Sequence, residues 1–129
     1  MTRLTEAQRA QLETLRQAYR AELPAKLGLI AGTVEALHAG WQRAQLQALY
    51  DLIHKLAGSA AIYGFGDISR AAGDLESWAL EALDGGLHEA RRLELTPLMS
   101  ALQEAFGTTE TLGPGGSGRV RRRGPRARR

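Results

Sequence analysis

Apolar residues recur along the first two-fifths of the chain at spacings of three and four, the period of an amphipathic helix. Thr5-Glu6-Ala7-Gln8 fits a capping box, so a first helix is predicted over about 5–22. Pro24 disfavours helix at the residue before it and suits the first turn of a new one. A second helix is therefore predicted from Pro24 to about Gly40.

The same periodicity predicts three more helices. The third runs from about 42 to 63 and ends at Gly64-Phe65-Gly66. Asp67 is a suitable N-cap for the fourth, which Gly85-Gly86 ends. The fifth covers about 87–106 and includes Pro97, where an irregularity is expected.

This pattern predicts an all-α fold, since no strand pattern or internal repeat competes with it. Short connections between helices favour an up-and-down four-helix bundle, with an additional N-terminal helix, over residues 1–106. Residues 107–129 lack apolar periodicity and are rich in Gly, Pro and Arg. They are predicted to form a disordered basic tail.

The net charge of +3 is unevenly distributed. Residues 108–129 hold seven arginines against Glu110 alone, a net charge of +6, which leaves −3 for the rest of the chain. The chain has no cysteine, so disulfides, thiolate zinc sites and cysteine nucleophiles are excluded. The lack of cysteine favours a reducing cytoplasm. A polar N-terminus and the lack of a long apolar run predict no signal peptide and no membrane insertion.

The third helix carries the candidate chemistry. At about 100° per residue, one of its faces is a core stripe. That stripe consists of Leu46, Leu49, Leu52, Ile53, Leu56, Ala60 and Tyr63. Nearly opposite lie Arg43, Gln47, Asp51, His54, Gly58 and Ala61. His54 is therefore predicted to face solvent in the middle of the helix.

Gly58 lies one turn after His54 on the same face. Glycine inside a helix costs roughly 1 kcal/mol relative to alanine, so its presence calls for a reason. Close helix packing is the ordinary explanation, but beside an exposed histidine it would also leave the imidazole open. A neutral imidazole has a free nitrogen lone pair at neutral pH and can carry a phosphoryl group.

The segment IHKLAGSAAIYGF resembles the signature of the histidine phosphotransfer (HPt) domain family. In that signature a histidine is followed by a hydrophobic residue at +2, glycine at +4, serine at +5 and glycine at +10. Leu56, Gly58, Ser59 and Gly64 fill these places around His54. FGDISRAAGDLE and ELPAKLGLIAGTVEALHAG are also similar to flanking parts of the family, so the resemblance covers about 5–106.

The resemblance implies a phosphoryl carrier rather than an enzyme, with His54 phosphorylated. It accepts the group from the phospho-aspartate of a receiver domain and passes it to another receiver, in a bacterial two-component phosphorelay with a (hybrid) sensor histidine kinase. No cofactor or metal site is expected on this chain, and Mg²⁺ is expected on the partner receiver. The supporting residues are Gln47, Asp51, Lys55, Gly58, Ser59 and Gly64.

Docking is expected to rely on shape and apolar contact around the histidine. The patch is expected to consist of Tyr50, Ala57 and Ala61, together with Ile62 or Phe65. Because a relay partner must leave again, a transient interface below about 1,200 Å² is expected. The protein itself is expected to be a monomer.

Many HPt domains have lysine at +3, where this chain has Ala57, whereas Lys55 stands at +1. Lys55 either lends positive charge to a phosphohistidine or only pairs with Asp51 one turn away. The missing lysine leaves open a degenerate HPt-like module that docks as an inhibitor. A further alternative is binding of nucleic acid or another acidic partner through residues 119–129.

Overall fold

The structure is a computed structural model that describes residues 4–86 and 89–111, and the side chains of 4–86 and 91–108. These residues form four helices and no strand. The helices are α1 (Glu6–Ala39), α2 (Arg43–Ile62), α3 (Gly66–Gly85) and α4 (Glu89–Thr111). The all-helical bundle that the sequence predicts is confirmed.

Neighbouring helices run antiparallel. Along α2 and α3, the Arg43 guanidinium donates to the carbonyl of Leu83, while the Ser69 hydroxyl donates to the carbonyl of Ala57. Residue numbers thus rise on one helix as they fall on the other. The Tyr19–Ser59 hydrogen bond links α1 to α2 near the C-terminal end of α2, far from the contact between Arg43 and Leu83. The result is an up-and-down arrangement in which α2 packs between α1 and α3.

The predicted break at Pro24 is wrong, and the two predicted N-terminal helices are one helix, α1. Leu23 and Ile30 are buried on either side of the proline, and Leu27 between them is half-buried. This apolar stripe continues through Pro24, which is exposed and about 100° off it. Burial of the stripe therefore offsets the cost of a proline within a helix.

The start of α1 does not join the core. At about 1.5 Å per residue α1 is roughly 51 Å long, well beyond the length of α2. Residues 4–15 are all exposed, including Leu4, Leu12 and Leu15. The helical period in this segment is real, since Thr5 caps α1 in a full capping box with Gln8. Its apolar stripe nevertheless has no cover among the described residues.

The turn between α2 and α3 is a Schellman motif. Phe65 N–H donates to the carbonyl of Ala60 and Gly64 N–H to that of Ala61, with Gly64 at φ +84°. Phe65 is the N-cap residue of α3, and its buried ring anchors the turn. The expectation that Asp67 is the N-cap is wrong. The helix begins at Gly66, so Asp67 lies within its first turn.

The last helix extends past its predicted end at 106 and continues to Thr111 without a break at Pro97. Leu95, Met99, Leu102 and Phe106 bury its inner face. The expected end of α3 is confirmed, with Gly86 as C-cap at φ +97°. Residues 107–111, assigned to the tail from sequence, are helical, and 112–129 lie outside the described residues.

Pro24→Ala is expected to stabilise the protein, because alanine restores a backbone donor within a continuous helix. The gain in the free energy of unfolding is expected to approach about 3 kcal/mol. Denaturant unfolding measures it. Ala25→Ser, at the exposed neighbour, is the control and should stay within about 0.5 kcal/mol. An equal free energy of unfolding for the two variants would contradict this and would indicate a helix boundary at Pro24.

Burial raises the pKa of Tyr19 above its ordinary value, although the hydrogen bond with Ser59 opposes the shift. Folding thus favours the neutral phenol. The stability that the neutral Tyr19 phenol contributes is present below the unfolded pKa, about 10, and is lost as pH rises through the folded pKa. Tyr19→Phe should unfold with a shallower loss of stability above about pH 10 than the parent protein. Denaturant unfolding at several pH values measures the free energy of unfolding of both proteins. If this free energy fell equally steeply with pH in both, the prediction would be contradicted.

Candidate functional site

His54 lies near the middle of α2 with 61% of its side chain exposed. The neighbouring residues Ile53 and Leu56 are buried and fix the rotation of the helix. Because these two point into the core, His54 is turned outward, and the predicted exposure of this histidine is confirmed. Its ring nevertheless lies close to α3.

Glu76 of α3 holds the imidazole. Its Oε2 lies 2.6 Å from His54 Nδ1, and the glutamate side chain is 23% exposed against the body of the bundle. A carboxylate in this position favours the tautomer with the proton on Nδ1, which donates to it. Nε2 is then the nitrogen with the free lone pair.

Glu76 is missing from the residues predicted from sequence. One signal could have found it: Phe65 lies midway between His54 and Glu76, and residues equally far from the turn of an antiparallel helical pair face each other. The core positions of the two helices do not reveal this contact, because it joins one polar position of each helix.

Tyr50 lies one turn before His54, with the two rings stacked at a centroid distance of 5.6 Å. Asp51 is exposed and accepts a hydrogen bond from Gln47 Nε2 at 3.2 Å. Both polar residues are on the outer face, as predicted, but within the described part of the chain neither forms a hydrogen bond with His54. Glu76 and Tyr50 therefore restrict the ring most directly.

Lys55 lies on the side of α2 that faces α1. It lines a small groove of about 110 Å³ with Lys26 and Leu29 of α1. Among the described residues it has no ion pair with Asp51, whose carboxylate is bonded to Gln47. Lys55 and Glu76 thus lie on opposite sides of His54.

Ser59 and Gly64 serve the local architecture. The Ser59 hydroxyl is half-buried, 2.6 Å from the Tyr19 hydroxyl and 3.4 Å from the carbonyl oxygen of Leu56. Ser59 therefore has a packing and back-bonding role. Gly64 supplies the positive φ that ends α2. Ser59 lies more than one turn after His54 along α2, and Gly64 lies nearly three turns after it.

Gly58 is exposed, and a Cβ added to it would meet no atom within 4 Å. Close helix packing therefore does not explain this glycine. Since it lies one turn after His54 on the same face, it leaves a gap beside the imidazole that alanine or a larger residue would narrow.

The residues expected to form a docking patch lie on α2 before and after His54. Tyr50 and Ala57 are half-buried, Ala61 is exposed and Ile62 is 75% exposed. Phe65, the alternative to Ile62 in the expected patch, is instead buried within the turn. The surface around His54 is thus formed by small or apolar side chains, with carboxylates on two sides.

His38, Trp41 and Trp78 are partly or fully buried in the bundle. His38 is half-buried near the end of α1, where its carbonyl accepts from the Arg92 guanidinium, while His88 lies outside the described residues. Trp78 is buried and Trp41 is half-buried, packed against the core. Across the described ranges, no group of histidine and carboxylate side chains is arranged to hold a metal ion.

None of the four described helices has the apolar length needed to cross a bilayer. Searches of curated proteins and of solved structures found no match. A model of the Hpt domain family matches residues 2–105, most of the chain and all of α2 and α3. The chain therefore belongs to the Hpt domain family, whose members carry out histidine phosphotransfer in phosphorelays.

Proposed function

We propose that this protein is a cytoplasmic phosphoryl carrier in which Nε2 of His54 accepts the phosphoryl group of a phospho-aspartyl receiver domain and passes it to a second receiver. The observation that carries the proposal is the 2.6 Å contact between His54 Nδ1 and Glu76 Oε2 on an otherwise exposed ring. It leaves one nitrogen engaged and the other facing solvent.

The transfer step follows from this geometry. The Nε2 lone pair attacks phosphorus, the bond to the aspartyl oxygen breaks, and the aspartate leaves as a carboxylate. The imidazole keeps its proton on Nδ1 and becomes positively charged, and Glu76 compensates that charge through a charge-assisted hydrogen bond. The reverse sequence returns the group to a second aspartate.

Among the described residues, no further group is placed to take part in the chemistry. Lys55 faces α1, and Ala57 replaces the lysine that many HPt domains have at +3. The proposed partner receiver therefore provides the Mg²⁺ that offsets the charge of the transferred group. A hybrid sensor kinase would load the first receiver.

Receiver docking is proposed at the surface formed by Tyr50, Ala57, Ala61 and Ile62. The side chains there are small or apolar, and a Cβ added at Gly58 would meet no atom within 4 Å, so the surface beside His54 is open. A partner that approaches along α2 would place its aspartate in the gap at Gly58.

Incubation of the protein with a phosphorylated receiver tests the proposal. Acid-labile, alkali-stable label is expected on the protein and should be lost in His54→Gln. His38→Gln, at a histidine remote from the site, is the matched control and should keep the label. Label that persists in His54→Gln would contradict the assignment. If no receiver labels the parent protein, it is a docking module without transfer.

Glu76→Gln is expected to slow phosphotransfer about tenfold, because a neutral acceptor stabilises the charged ring less than a carboxylate by roughly 1.4 kcal/mol. The imidazole ¹⁵N shifts should show a larger share of the tautomer protonated on Nε2. Asp84→Asn, at an exposed carboxylate of the same helix, is the control for both measurements. Unchanged tautomer populations and rate in Glu76→Gln would remove the proposed role of the carboxylate.

Gly58→Ala is expected to raise the free energy of unfolding by up to about 1 kcal/mol, since the added methyl meets no neighbour and alanine favours helix. Gly58→Leu should fold but transfer phosphoryl more slowly, because its side chain extends toward the imidazole. Gly32 of α1 is the matched control, exposed and equally open. If Gly58→Leu and Gly32→Leu transfer equally fast, the gap has no part in docking.

A further inference from the structure

A groove of about 430 Å³ separates α3 and α4 on the side of α3 turned away from His54. Asp74, which lines it, and Glu76, which contacts His54, are about 200° apart around the helix. The groove therefore belongs to a surface that the proposed phosphotransfer does not use.

The floor of the groove is apolar and firmly held. Trp78, Pro97 and Leu98 line it, with Ser77 between them. Trp78 is buried, and its indole N–H donates to the carbonyl of Arg91 at 2.9 Å, which joins the two helices. The shape of the floor is therefore set by the bundle.

The rim of the groove is acidic, since Asp74, Glu81 and Glu94 line it and no lysine or arginine does. Glu81 already pairs with Arg91 at 3.2 Å. Asp74 and Glu94 are exposed, and within the described part of the chain neither has an ion pair. The groove thus suits a cationic segment with small apolar residues.

The chain itself contains such a segment. Residues 112–129 hold seven arginines and no acidic residue, a charge of +7, whereas residues 1–111 carry −4. The arginines are interspersed with Val120, Pro125 and Ala127. The segment and the groove are therefore complementary in charge and in apolar character.

The segment can also reach the groove. Pro97 lies about 21 Å from the end of α4 at Thr111, at 1.5 Å per residue. The eight residues from Thr111 to Arg119 span at most about 26–29 Å. Attachment to the same chain gives the arginines a millimolar effective concentration at the groove, so weak ion pairs suffice.

We propose that residues 119–129 dock in cis in the groove between α3 and α4, with arginines against Asp74 and Glu94 and with Val120 or Pro125 over Trp78 and Leu98. Docking occupies the arginines on the body of the protein and leaves the His54 face open. The proposal is independent of phosphotransfer.

The test compares ¹H–¹⁵N spectra of the full chain with those of a full-length variant in which all seven arginines are glutamine. At low salt, the backbone signals of Ser77 and Leu98 and the indole signal of Trp78 are expected to differ between the two. The difference should fall by about half or more near 0.5 M NaCl, where the Debye length is about 4 Å. In an Asp74→Asn/Glu94→Gln background, the exchange of arginine for glutamine should leave these signals nearly unmoved.

Glu6→Gln/Glu35→Gln is the matched control, since both carboxylates are exposed on α1 away from the groove, and it should keep the full difference. Identical groove signals in the parent and the arginine-free variant would overturn the proposal. So would signals that change over an about tenfold range of protein concentration, because the occupant would then be a second copy. If the control background lost the difference in the groove signals equally, the attraction would be unspecific and the proposal would be wrong.

Discussion

The packing of α2 against α3 fixes the surroundings of His54. Leu49, Ile53 and Leu75 are fully buried, so neither helix can rotate without exposing large apolar side chains. A helix held in this way has one outward face, and His54 lies on it. The same packing brings Glu76 within 2.6 Å of the imidazole. A polar contact at the surface thus depends on an apolar contact beneath it.

Features that depend on local spacing could be predicted from the sequence. The rotation of α2, the exposure of His54 and the end of α2 at Gly64 follow from periodicity and turn chemistry. Glu76 does not, because its approach to His54 depends on the register between two helices. That register is set jointly by the Schellman turn and by the interdigitation of buried side chains, which a reading of single helices leaves out.

Pro24 illustrates a competition that sequence rules alone do not decide. The proline favours a helix boundary, while the stripe of Leu23, Leu27 and Ile30 favours continuity. Continuity wins because the stripe packs on the bundle over its whole length, whereas Pro24 faces solvent. At the start of α1 the reverse holds: Leu12 and Leu15 have helical spacing, but α1 there extends beyond the core. Periodicity predicts a helix, and burial requires a partner of matching length.

The electrostatics around His54 constrain how a phosphoryl carrier of this kind works. The carboxylate of Glu76 contacts the imidazole and that of Asp51 lies one turn before it on α2, whereas Lys55 lines the groove against α1. Carboxylates stabilise a positively charged imidazole but repel the phosphoryl oxygens attached to it. A phosphohistidine in this setting would be held less firmly than one beside a lysine. A weaker hold favours onward transfer, so the receiver that binds next, with its own cation, would determine where the group goes.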